Sequence, residues 1–131
     1  MGDNINAMRE YQAALLINPT CALANYNSGN IYLFHRQYKQ ALSAYNDAIE
    51  KGKLLDETVY QNRGIAKAFM SLNGDAIKDF TEALKHNKYA AHIYMNRALL
   101  LFKLKDFKNS LNDLTSGICL ELSRVLNPTL N

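Results

Sequence analysis

The chain has 131 residues, 48% of them hydrophobic and 21% charged, a balance that fits one folded domain and excludes intrinsic disorder. Fifteen Lys and Arg against twelve Asp and Glu leave a formal charge of +3. Any pull on phosphates is therefore weak unless cations cluster locally, and no nucleic-acid partner is expected. Cys21 and Cys119 stand far apart without a partner pattern, so they read as free thiols of a reducing compartment rather than as a metal site or a disulfide framework. The opening MGDNINAMRE lacks the basic-then-apolar layout of a signal peptide, and the longest apolar stretch, Ala98 to Phe102, is far too short for a membrane span. A cytoplasmic location, with the nucleus as alternative, and no membrane partner are expected.

Helical spacing dominates the chain, and no strand-like alternation competes with it. In order, it predicts a helix from Ile5 to Ile17, then three pairs: Ala22 to Arg36 with Tyr38 to Lys51, Glu57 to Ser71 with Asp75 to His86, and Ala90 to Lys103 with Phe107 to about Leu126. The pairs are copies of one unit. The small residues Gly29, Gly64 and Ala98 follow one another at steps of 35 and 34, and Ala41, Ala76 and Ser110 keep the same steps, as do Ala48, Ala83 and Gly117. The large residues Tyr45, Phe80 and Leu114 keep pace three positions before the last of these sets.

This scheme resembles the tetratricopeptide repeat, a unit of about 34 residues in which an aromatic, a Gly and a second aromatic precede Ala, aromatic, Ala and a closing Pro. Tyr60 and Tyr94 occupy the first aromatic slot and Tyr32 the second, while Asn25 fills the first slot in the first copy. Lys53 and Lys88 stand where the closing Pro belongs, Ser110 and Gly117 replace Ala in the third copy, and no turn glycine marks Gln37 to Tyr38. Upstream, Ala7, Tyr11, Ala14 and Pro19 reproduce the second half of a unit, which suggests that the chain opens in mid-repeat and that Met1 is a boundary rather than a native start. The resemblance implies an all-α fold, a right-handed superhelical stack of antiparallel helix hairpins with about seven helices. Its expected divisions are residues 1–21 as a half repeat acting as a capping helix, 22–56, 57–90 and 91–124 as three repeats, and 125–131 as a C-terminal extension.

A lone hairpin cannot cover its own apolar face, so stacking must supply the core. Tyr11, Tyr45, Phe80, Phe107 and Leu114 are expected there. Arg63 and Arg97 stand just before the small residue of their copies and Asp79 and Asp113 follow 16 residues later, whereas the first copy has Ser28 and Ala44. Loss of both charges together predicts that each Arg–Asp pair bridges the two helices of one hairpin.

Chemistry is hard to place anywhere in this chain. No HExxH, phosphate-cradling glycine loop or GxSxG is present, so no catalytic residue, metal site or cofactor is expected. His35, His86 and His92 fall at helix ends, and the Lys-rich stretch from Lys103 to Lys108 reads as a solvated turn. More informative are Asn27, Asn62 and Asn96, which recur two residues before the small residue where helix propensity disfavours Asn. They resemble the asparagine ladder of the O-GlcNAc transferase superhelix, which implies that they line a concave wall and grip the backbone of an extended peptide through amides that both donate and accept. The alternative is that they bond neighbouring helices and set the superhelix. Flanking positions on the same wall would add selectivity: Leu23, Tyr26, Asn30 and Phe34, then Thr58, Gln61, Ile65 and Phe69, then His92, Met95, Leu99 and Lys103. Asn30 and Asn62 also match the two amide positions of the carboxylate clamp of chaperone-binding repeats, but Tyr26, His92 and Asn96 stand where that clamp carries cations. The expected function is a protein–protein interaction scaffold holding an extended or helical segment. Self-association end to end through exposed stack ends is the second reading, and RNA binding the weakest.

Overall fold

The computed structural model describes residues 2–130 and contains, among them, seven α-helices and one short 3-10 turn, with no strand. The helices are α1 (Gly2–Ile17), α2 (Ala22–Phe34), α3 (Tyr38–Glu50), α4 (Glu57–Phe69), α5 (Asn73–His86), α6 (Ala91–Lys103) and α7 (Phe107–Leu126). Consecutive helices pack as antiparallel hairpins, α2 with α3, α4 with α5 and α6 with α7, and the hairpins stack through α3 on α4 and α5 on α6. The result is an all-α superhelical stack, with α1 leaning on α2 at one end and α7 closing the other.

The first helix of each hairpin ends in the same way. Arg36, Ser71 and Lys105 adopt left-handed backbone at φ 59°, 62° and 65°, and the following amide reaches back to a carbonyl in the last helical turn, as in Gln37 N to Tyr32 O at 2.8 Å. That left-handed cap closes the helix without the usual glycine. Two helix starts are capped by carboxylates, that of α4 by Asp56 accepting from Val59 N at 3.0 Å and that of α7 by Asp106 accepting from Asn109 N at 3.4 Å.

Close approach within the hairpins depends on the small residues. A Cβ on Gly29 would lie 2.6 Å from the Tyr45 ring, and one on Gly64 would lie 2.9 Å from the Phe80 ring. In the third hairpin Leu114 replaces the ring, and Ala98 replaces the glycine. Ser110, at an Ala position, is buried and donates to Ala98 O at 2.8 Å, which satisfies its hydroxyl. Tyr45, Phe80, Ile93 and Val59 are the largest fully buried side chains.

Two expected core residues are not in the core. Phe107 and Leu114 are exposed, and Tyr11 is only half-buried. The register explains this, because Phe80 owes its burial to α6 stacking on α5, and no further hairpin covers α7 among the described residues. The final helix does run on to Leu126, as its helical spacing predicts.

Candidate functional site

The Arg–Asp pairs form as the offsets require. Arg63 Nε and Nη2 donate to the two Asp79 oxygens, each at 2.8 Å, and Arg97 does the same to Asp113 at 2.7 Å. Both carboxylates are buried, and the bidentate fork satisfies each one. The Asp113 hydrogen bond holds Arg97 protonated beyond its ordinary range; for Arg63 burial is the largest influence and works the other way, but the Asp79 hydrogen bond and the charges of Asp79, Tyr60 and Glu50 together outweigh it. Sequence reasoning missed two further links. Lys67 Nζ also reaches Asp79 at 3.0 Å, and each arginine spends its remaining nitrogen on the preceding hairpin, Arg63 on Asn46 at 3.0 Å and Arg97 on Thr81 at 3.1 Å. The pairs thus lock one hairpin and tie it to its neighbour.

On the wall lined by α2, α4 and α6, the expected site residues divide into two groups. Tyr26, Asn30 and Asn62 converge. Asn30 Oδ1 accepts from Tyr45 Oη at 2.6 Å and from Asn62 Nδ2 at 3.0 Å, while Asn62 Nδ2 also reaches Tyr26 Oη at 3.3 Å. Asn62 therefore sets the spacing of α2 and α4, which is the structural role weighed against peptide binding. Burial, then the neighbouring Tyr26, pushes the Tyr45 phenol well above its usual range. Gln61 Oε1 and His92 Nε2 lie 3.1 Å apart and link α4 to α6 in a similar way.

Asn27 and Asn96 behave differently, being half-buried with no side-chain hydrogen bond among the described residues. The reason lies in the register: one step on from Asn30 stands Ile65, so Asn96 meets no amide oxygen on α4. Phe34 and Phe69 project from the last turns of α2 and α4 at 75% and 63% exposure, and Met95 and Lys103 are exposed on α6. Phe69 stacks on Tyr38, with centroids 4.9 Å apart and planes 6° from parallel. The wall is thus a mosaic of two open amides, exposed apolar side chains and one cation, and its two clamp-like asparagines are bonded to each other.

No group of His, Cys, Asp and Glu among the described residues could hold a metal ion. A hollow of about 850 Å³ borders this wall at His92, where the end of α7, with Glu121 and Arg124, faces Tyr89. Others of about 380 Å³ beside Arg97 and Asp113, and of about 240 Å³ beside Ser28 between α1, α2 and α3, do not include the wall residues.

Three comparisons bear on this architecture. The family model described as Tetratricopeptide repeat matches residues 22–50. Tetratricopeptide repeat protein 6 of Homo sapiens is 41% identical over 70 residues, which are 53% of this chain but only 13% of that protein's length. Among solved structures, MamA 41-end from Desulfovibrio magneticus RS-1 superposes with TM-score 0.85 at 21% identity, over 94% of this chain and 69% of that one. The first TPR of Spaghetti (RPAP3), bound to the HSP90 peptide SRMEEVD, superposes with TM-score 0.72 at 22% identity, over 77% of this chain and 79% of that one.

Proposed function

Because the chain is a tetratricopeptide-repeat protein, we propose that it is a protein-interaction module whose concave wall holds an extended or helical segment of a partner. The observation that carries this is the unspent chemistry on that wall: Asn27 and Asn96 keep their amides for an incoming backbone, and Leu23, Phe34, Phe69, Met95 and Leu99 stay exposed beside them. A solved tetratricopeptide neighbour is captured with a peptide, which supports the mode of binding but not the same ligand. An acidic chaperone tail suits this wall poorly, since Tyr26 and Asn96 supply no charge and Asn30 and Asn62 are bonded to each other. The preferred segment is neutral, with apolar anchors spaced along one face.

The test compares partner recovery by wild type with that by Asn27→Ala, Asn96→Ala and the double variant, followed by binding measurements with a recovered peptide. Each amide lost should weaken binding about tenfold, as one or two buried hydrogen bonds would. Asn62→Ala should instead lower stability, because its amide serves the fold. Undiminished binding by the double variant, with helicity intact, would remove the proposal.

Self-association has its own support in α7, where Leu111, Leu114, Ile118, Leu122 and Val125 form an exposed apolar stripe. Light scattering at rising concentration decides it, and a monomer throughout would end that reading.

A further inference from the structure

Antiparallel pairing brings the turn between the two helices of every hairpin to one edge of the stack, and the linkers between hairpins to the opposite edge. The three turns, 35–37, 70–72 and 104–106, together with the helix ends that flank them, cover residues 34–39, 69–75 and 102–108. The first two touch through the Tyr38–Phe69 stack, and within the third Phe102 and Phe107 meet edge to face at 5.3 Å. Charge is concentrated here. Five of the fifteen Lys and Arg, namely Arg36, Lys39, Lys103, Lys105 and Lys108, lie in these turns with only two of the twelve Asp and Glu, which leaves ten of each sign over the rest of the chain. The whole excess of +3 therefore sits on one edge.

Those cations are also uncommitted. None of the five joins an ion pair among the described residues, whereas six of the other ten do, namely Lys51, Lys67, Lys85, Arg63, Arg97 and Arg124. Of the two acids, Asp106 is occupied in capping α7. Interleaved with the cations are six exposed apolar side chains, Phe34, Phe69, Leu72, Phe102, Leu104 and Phe107.

We propose that this edge docks on an anionic lipid surface. Shape decides among polyanions. The turns are the tips of hairpins, so the apolar side chains stand on a ridge at the edge of the stack. A ridge of rings and leucines is buried fully only in a medium that yields around it, as the headgroup boundary of a bilayer does, while flanking cations meet its phosphates and carboxylates. Lysine stems lie along apolar surface and carry their charge outward, which suits that boundary. No helix of the described residues is long and apolar enough to cross a membrane, so the association is with the surface. The proposal departs from the expectation of no membrane partner and from the reading of Lys103 to Lys108 as a solvated turn. It stands apart from the peptide-binding proposal, sharing with it only Phe34, Phe69 and Lys103.

The experiment is flotation of the whole chain with vesicles of phosphatidylcholine, alone or with about one-third phosphatidylserine. Binding is expected to the mixed vesicles only, and it should fall as salt rises. The variant R36S/K39S/K105S/K108S, all outside the proposed peptide wall, should bind more than about tenfold more weakly, since each cation near such a surface accounts for several-fold. Leu104→Ser with Phe107→Ser should weaken binding several-fold at unchanged helicity. Lys53→Ser with Lys88→Ser, on the opposite edge, should leave it unaltered. Equal binding to neutral vesicles, no binding to mixed ones, or undiminished binding by the fourfold variant would overturn the proposal. So would tighter capture of polyglutamate or single-stranded RNA through the same four cations.

Discussion

The first hairpin and the two that follow share one backbone scheme but are held by different polar glue. In the second and third, a buried arginine–aspartate fork joins the two helices and the arginine reaches on to the hairpin before it. In the first, Ser28 and Ala44 replace the fork, Ser28 Oγ is buried with no partner among the described residues, and a hollow of about 240 Å³ opens between α2, α3 and α1. Besides the Arg63–Asn46 bond, the first hairpin is joined to the next by Tyr45, Asn30 and Asn62. The contrast shows that the fork is a removable unit. It disappears as a pair because either charge alone would be stranded in the core. Its absence also leaves α1 without a polar tie from Ser28, which fits the lack of any fully buried residue in that helix.

The largest expected effect follows from stranding one partner. Asp79→Ala leaves Arg63 and Lys67, both mostly buried, without their carboxylate, and should cost about 3 to 5 kcal/mol in urea denaturation. Arg97→Ser with Asp113→Ala converts the third hairpin to the chemistry of the first and should cost less than Asp113→Ala alone, despite removing more atoms. The converse graft, Ser28→Arg with Ala44→Asp, should be more stable than either single change. A double variant as unstable as the sum of its singles would show that the fork is not a unit.

The fork was legible because a charge pair missing from one copy and present at a fixed offset in two others can be seen without coordinates. The helices were legible for the same reason, since the steps of 35 and 34 align three copies. The wall was only half legible. Asn62 looks like Asn27 and Asn96 in the sequence, but its fate depends on Asn30, one helix away, and on a tyrosine hydroxyl that rises from the core to meet it. Phe107 and Leu114 were misplaced because periodicity reports which face of a helix is apolar, and burial further requires a neighbour to cover that face. Lys67 escaped notice because its copies are Tyr32 and Leu101, so no recurrence marks it.

A middle-sized effect sharpens the comparison from the side of the amide network. Tyr45→Phe keeps the ring against Gly29 but removes the bond to Asn30, and should cost about 1 kcal/mol. It should also change the response to alkali. The folded-state pKa of Tyr45 lies above the unfolded value of about 10, so its share of stability is intact below that pH and is lost as pH rises through the folded-state value. Wild type should therefore lose stability more steeply than Tyr45→Phe above about pH 10, read as Tm against pH. Phe80 stands at the same place in the second hairpin and makes no such contribution, so parallel curves would mean that the phenol's burial does not govern the slope.

The smallest effect concerns what all three hairpins share. Arg36, Ser71 and Lys105 hold left-handed backbone that glycine adopts without the Cβ penalty, so each change to glycine should raise stability by about 0.5 to 1 kcal/mol, measured by thermal unfolding. Because the three turns have nearly the same φ and the same closing hydrogen bonds, the gains should agree despite the different glue of their hairpins. Only two of the changes remove a cation from the turn edge. Ser71→Gly should therefore stabilise the fold and leave vesicle binding unaltered, while Arg36→Gly and Lys105→Gly stabilise it equally and weaken that binding. Unequal gains would mean that the side chains at these turns, and not the backbone alone, fix the strain.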